Sequence, residues 1–197
     1  MSPFTERLVG KLVVPERSRP PDDGARRAAV SVLLYDEAST VDAHPGPRVL
    51  LMKRIERTGD PWSGHISLPG GGHSKTDPDL LATAIREKQE ELGIDLGGTR
   101  LLGTLPRLKP FMSGPAGVEV TPFVFVTHAA VEPQCGPEAV SAFWLPVELA
   151  GSGAIDAQYT YPGTDRMFPS WQYEAHTIWG LTWRILRDLI ETATRSE

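Results

Sequence analysis

The sequence predicts an α/β domain, with strands gathered around one strong amphipathic helix and a second helix closing the chain. Three observations carry this. Leu81, Ala84, Ile85 and Leu92 share one face at i, i+3/i+4 spacing. Residues 28–35 (AAVSVLLY), 47–54 (PRVLLMKR) and 118–127 (VEVTPFVFVT) have the apolar, β-branched character of strands. The 19 glycines and 18 prolines imply many turns and long loops between these elements.

At 197 residues the chain has one core to fill, arranged as an N-terminal arm, 1–27, and a single domain, 28–197. A net charge of −5 leaves no electrostatic footprint for nucleic acid or an acidic membrane. One cysteine, Cys135, excludes an internal disulfide and suits a reducing compartment. The first residues, MSPFTERLVGKLVVPERS, lack the apolar run of a signal peptide, and no stretch approaches the ~18 apolar residues of a membrane span. The expected setting is the cytoplasm.

In the arm, Ser2-Pro3 opens a short helix to about Val13, and Pro15 to Asp23 is a polar connector. The strands at 28–35 and 47–54 read as a hairpin around the long loop DEASTVDAHPGP. Residues 55–64 are loop, and His65–Leu68 is a short strand delivering the chain to Gly70, Gly71 and Gly72. After the helix come a strand over 100–108 interrupted at Pro106, a loop over 109–117 and the strand over 118–127. Residues 151–175 read as irregular. Their Tyr159, Tyr161, Phe168, Trp171 and Tyr173 suit core packing, with a stacking wall for an adenine ring as the alternative. His176–Thr192 is the closing helix.

The central helix carries the chemistry. Asp77 reads as its N-cap, Pro78 as its first residue and Gly93 as its stop. Glu87, Glu90 and Glu91 stand at i, i+3 and i+4, so their carboxylates crowd one patch. Like charges at that spacing destabilise a bare helix, whereas a divalent cation turns the repulsion into binding energy. Mg²⁺ suits one or two carboxylates completed by waters and substrate phosphates. Three glutamates alone more often mark a solvated acidic face than a metal site. Their neighbours shift the balance: three glycines precede a helix N-terminus whose N–H groups can meet a phosphate, and Arg86 lies beside the patch within reach of Asp77.

Together these residues resemble the Nudix box, G-x5-E-x7-R-E-U-x-E-E-x-G-U with U apolar. Arg86, Glu87, Glu90, Glu91, Gly93 and Ile94 fit its second half residue for residue. The first half fits as Gly71, five residues, Asp77, eight residues, Arg86: an Asp for the usual Glu, and one residue more. Lys88 occupies a position the family keeps apolar, and its stem is expected to snorkel from the core edge. Leu50 to Arg54, Gly64 to Gly71, the VTP of 120–122 and Ile178 to Thr182 are similar to the coenzyme A pyrophosphatase branch. Leu68 stands there for a Phe, and Asp60-Pro61-Trp62-Ser63 departs from that branch's loop. Residues 138–146 resemble the Nudix strand ending in a Trp-Leu-Pro turn, followed by a short helix at 147–149.

The resemblance implies a Nudix α/β/α sandwich with a mixed sheet, and a metal-dependent hydrolysis of a diphosphate bond. Glu87 and Glu91 would hold Mg²⁺ or Mn²⁺, with Glu90 supporting them or binding a second ion. Arg86 would orient the glutamates or pin Asp77 to the helix. Glu138, ahead of its strand, is a candidate for the metal or water-activating set; the general base stays open among Glu87, Glu90 and Glu138. Arg54, with Lys53 and Arg57, could reach substrate phosphates, Gly70 to Gly72 would let the backbone approach the ligand, and the 109–117 loop would lie near it. His65 and His73 receive no role, and Cys135 has no histidine beside it to make a nucleophile. The implied substrate is coenzyme A or an acyl derivative, giving 3′,5′-ADP and 4′-phosphopantetheine. ADP-ribose or a dinucleotide is the rival. A non-hydrolytic nucleotide sensor is the alternative of another class, suggested by Asp77 and Lys88 and opposed by the intact glutamates. A homodimer is left open.

Overall fold

The computed structural model describes residues 1–15, 17–37, 44, 46–59, 62–110 and 117–195. Most of the loop expected at 36–47, residues 60 and 61, and 111–116 of the loop expected at 109–117 therefore lie outside the described residues. In order, the elements are α1 (Pro3–Leu8), β1 (Arg27–Tyr35), β2 (Arg48–Arg54), β3 (Ile66–Ser67), β4 (Gly70–Gly72) and α2 (Leu80–Leu92). They continue as β5 (Arg100–Thr104), β6 (Glu119–Thr127), β7 (Ala139–Pro146), α3 (Val147–Gly151), β8 (Asp156–Thr160), β9 (Met167–Tyr173), β10 (His176–Trp179) and α4 (Gly180–Thr194).

The main sheet runs β3-β2-β1-β6-β5, with β4 added on β1 and β7 on β2. β1 and β6 are parallel, while β2 and β7 are antiparallel, so the sheet is mixed. Period-two alternation sorts its side chains onto two faces. Ala29, Leu33, Leu50, Met52, Phe123 and Phe125 pack with α2. Val32, Leu34, Val49, Leu51, Val124 and Val126 face the other way, onto α1, α4 and the buried Trp171 and Ile178. Helices cover both faces, giving an α/β/α domain.

Several local expectations change. β1 and β2 pair only at Leu34↔Val49 and Tyr35↔Arg48. Below that point β4 lies against β1, from Ala28↔Gly72 to Val30↔Gly70, and takes the place a full hairpin would need. Helix α1 ends at Leu8 rather than near Val13, because Val13 exchanges backbone hydrogen bonds of 3.0 and 2.9 Å with Thr104. Phe4 and Leu8 of α1 are buried in the same core as Ile185 and Leu189 of α4. The stretch read as irregular forms β8 and β9, which join β10 in a second antiparallel sheet. His176–Trp179 is thereby strand, paired with Tyr173 through Ser170, and α4 starts only at Gly180.

Helix α2 also starts later than expected. Its N-cap is Asp79, whose Oδ1 accepts the Ala82 N–H at 2.8 Å, because Asp77 is engaged elsewhere. Gly93 ends the helix with φ 65°, a left-handed value suited to glycine. The loop after β6 covers this end, where the N–H groups of Gln134 and Gly136 donate to the carbonyls of Leu92 and Glu91, both at 2.8 Å. Among the described residues, no helix is long and apolar enough to cross a membrane.

Candidate active site

The glycine stretch is a short strand, not a free loop, and two of its glycines are dictated by what presses on them. A Cβ at Gly70 would collide with the Ala29 carbonyl and Val30. A Cβ at Gly71 would lie 2.5 Å from the Glu87 carboxylate. The Gly70 N–H donates to Glu91 Oε2 at 2.8 Å, so this donor meets a glutamate where a phosphate was expected. Glu87 and Glu91, one helical turn apart, are thus drawn beneath the same strand.

Arg86 ties the helix to the segment before it. Its Nε and Nη2 donate to the two Asp77 carboxylate oxygens, each at 3.1 Å, and Nη2 also donates to the Gly72 carbonyl at 3.3 Å. Its Nη1 reaches Glu87 at 2.8 Å and Glu90 at 2.9 Å. Asp77 also accepts from the Thr83 hydroxyl at 2.8 Å and the Ser74 N–H at 3.1 Å. Burial pushes the Asp77 carboxyl upward, but these donors outweigh it and hold it down at about 2. His73 Nδ1 lies 3.1 Å from the Thr83 hydroxyl at the edge of this network.

The glutamates divide. Glu91 is 3% exposed, and burial, with repulsion from Glu87 and Glu138, pushes its carboxyl up to about 7 against the Gly70 N–H and Arg54. Burial raises Glu87 as well, with Arg86 pulling the other way and Glu90 and Glu138 adding repulsion. Glu90 is 58% exposed and turned toward Arg86. Glu138 forms a 3.1 Å ion pair with Arg57, both half exposed. Among the described residues, no three His, Cys, Asp or Glu side chains converge as a ready-made metal group. A pair of hard, desolvated carboxylates still matches what Mg²⁺ requires, since its remaining positions go to water and phosphate.

Lys88 and Ile85 exchange their expected places. Ile85 is 36% exposed, and Lys88, at 0%, continues the buried stripe of Leu81 and Ala84. It does not snorkel. Among the described residues its Nζ has no hydrogen-bond partner, and burial draws its pKa down to about 7 against the attraction of Glu91.

Beside the glycine strand opens a cavity of about 490 Å³, lined by Gly70 and Arg54 on the carboxylate side. Its other walls include Leu108, Val118, Val120, Phe168, Trp179 and Leu181. The Thr182 hydroxyl donates to the Ile66 carbonyl at 3.1 Å and fastens the start of α4 to β3. Reading the aromatic segment as core was right for Trp171, which is fully buried, but Phe168 faces the cavity. A signal for these walls was present: aromatic residues flank a Tyr161-Pro162-Gly163 turn, as in a hairpin.

The NUDIX domain family model matches residues 25–168. A protein of Salmonella paratyphi B, described as an uncharacterized Nudix hydrolase NudL, is 32% identical over 150 residues, 74% of each chain. The NudL of Salmonella newport gives the same figures. Among solved structures, an Ap4A hydrolase of C. elegans in a binary complex superposes with a TM-score of 0.52 at 20% identity, covering 64% of this chain and 83% of that one. A MutT/nudix family protein from Enterococcus faecalis gives a TM-score of 0.55 at 17% identity, over 88% of this chain and 62% of its own. At these identities the structures share the fold.

Proposed function

The chain belongs to the NUDIX domain family and is a Nudix hydrolase, a pyrophosphohydrolase acting on nucleoside diphosphate derivatives; on that premise we propose that its substrate is coenzyme A or an acyl-coenzyme A. Cleavage of the diphosphate would yield 3′,5′-ADP and a 4′-phosphopantetheine. Hydrolysis is supported by the placement of Glu87 and Glu91 under Gly70 and Gly71, at the edge of a cavity that Gly70 and Arg54 also line. The choice of coenzyme A is supported by the similarity of Leu50 to Arg54, Gly64 to Gly71 and Ile178 to Thr182 to the coenzyme A pyrophosphatase branch. Divalent ions are usual in the family. Mg²⁺ or Mn²⁺ held by Glu87 and Glu91 would neutralise phosphoryl charge and acidify a bound water.

The protein's own groups do the rest. Arg86 holds Glu87 toward the glycine strand while its other nitrogens fix Asp77, so the carboxylate arrives pre-oriented. Glu90 supports that grip through Arg86. Arg54, which lines the cavity, would meet a substrate phosphate there. Glu138, near enough to repel the Glu87 and Glu91 carboxylates and paired with Arg57 at 3.1 Å, is the candidate to take a proton from the attacking water. The free, exposed Cys135 suits the cytoplasm.

The test is turnover of coenzyme A, ADP-ribose and NADH by the purified protein with Mg²⁺ or Mn²⁺, with product masses read directly. Release of 3′,5′-ADP at a kcat/KM at least tenfold above the other two supports the assignment. Preference for ADP-ribose or NADH overturns the substrate, and tight binding with no turnover of any of them would make the chain a sensor.

A further inference from the structure

The cavity is shaped for something other than a nucleobase. Two of its tryptophan rings, Trp179 and Trp183, are already engaged by neighbouring side chains. Trp179 is stacked by Tyr159 at 4.2 Å and met edge-on by His65 at 5.0 Å and Tyr161 at 5.8 Å. Trp183 carries the Arg187 guanidinium over its ring at 5.3 Å and leans on Trp171 at 6.0 Å. A base stacked on the engaged faces of Trp179 or Trp183 would have to displace one of these partners. The polar atoms of the wall are withdrawn as well: Ser67 Oγ and Trp183 Nε1 are sealed from solvent, and the Thr182 hydroxyl is spent on Ile66. The rest of the wall is mainly apolar, aliphatic with Trp62 and Phe168 added, and carries three basic side chains, Arg54, Lys109 and Arg184, with no acidic residue among the lining residues described. Apolar walls with a cationic lining match a hydrocarbon chain attached to an anionic group.

Resting on the substrate assigned above, we propose that this cavity holds the acyl chain of an acylated coenzyme A, so that chain length sets substrate preference. The cavity is continuous with the glycine strand through Gly70, so a chain bound there remains tethered to the diphosphate at Glu87 and Glu91. Burying each further methylene is worth up to about fourfold in affinity. Because the chain is remote from phosphorus, the gain falls on KM and not on kcat.

The experiment measures kcat and KM for coenzyme A and its butanoyl, octanoyl and dodecanoyl thioesters, with the wild type, Val118→Phe and Leu181→Phe. Tryptophan emission is followed during binding without metal, since Trp62, Trp179 and Trp183 line the cavity. KM should fall by at least tenfold from coenzyme A to the octanoyl thioester, and either substitution should cut that preference tenfold or more. A KM indifferent to chain length, or substitutions that weaken acylated and free coenzyme A alike, would overturn the inference. Chain-length-dependent binding without hydrolysis would support it while removing coenzyme A turnover as the function. Octanoate competing as tightly as octanoyl-coenzyme A would make the occupant a free fatty acid and overturn it.

Discussion

The carboxylate helix and the cavity beside it are built on opposite terms. Helix α2 is specified locally: Asp79 starts it, Gly93 stops it, and Arg86 reaches Asp77, Glu87 and Glu90 within one stretch of chain. The cavity is assembled from β3, β6, β9 and α4, and the bond from Thr182 to Ile66 that closes it spans 116 positions. Charge divides the same way. The helix side crowds acids that burial raises, whereas the charged side chains among the described lining residues of the cavity are basic. If the proposed roles hold, bond cleavage and substrate choice would rest on separate parts of the molecule. Each can be altered alone.

The hardest test of that separation is to neutralise one carboxylate without changing its shape. Glu91→Gln keeps an oxygen for the Gly70 N–H and removes the charge. It, or Glu87→Gln, should lower kcat on the order of 10²–10³-fold with the thermal midpoint nearly unchanged. Equal activity in steady-state assays would dissolve the assignment. Next comes Lys88→Met, which removes a buried, unpartnered ammonium. It should stabilise the fold by about 1–3 kcal/mol, or roughly 3–10 °C by calorimetry. The lysine is depressed to about 7, so the unfolded chain holds its proton more tightly; the advantage of the methionine should therefore shrink as pH rises from 7 toward 10.

Asp77 gives the opposite sign. Its carboxyl is held at about 2 against an ordinary 3.8, worth about 2 kcal/mol that is complete above pH 4 and lost as pH falls through 2. Urea unfolding should show Asp77→Asn less stable at pH 6, the gap narrowing at acid pH. A further test concerns metal entry. A carboxyl raised to about 7 must release its proton before it can ligate. Mn²⁺ affinity measured by electron paramagnetic resonance should thus be about tenfold weaker at pH 6 than at pH 8. The smallest effect should be Glu90→Gln. That exposed carboxylate touches Arg86, and its loss should reduce kcat by less than about tenfold.

What was legible followed from composition for the strands and from spacing for the helix. The apolar, β-branched runs of β1, β2 and β6 and the stop at Gly93 could be read directly, because residue type and left-handed backbone are local properties. Three features escaped. Two aspartates two residues apart both suit an N-cap, and only the reach of Arg86 decides that Asp77 is taken and Asp79 is left to cap. Apolar spacing cannot reveal that Lys88 fills the stripe while Ile85 faces outward, since a buried lysine runs against its solvation. The second sheet was missed because pairing among β8, β9 and β10 depends on residues brought together by two turns, and the strand-favouring Thr177, Ile178 and Trp179 form too short a run, directly ahead of the apolar positions of α4, to be separated from it.

The loop over the end of α2 has a consequence for time as well as place. Gln134 and Gly136 stand in a segment with no strand or helix of its own, yet their amides close off the last carbonyls of the helix that bears the glutamates. Those two amides should trade hydrogen for deuterium at the pace of the helix and not of the loop around them. They offer a pair of native clocks for watching the glutamate helix loosen.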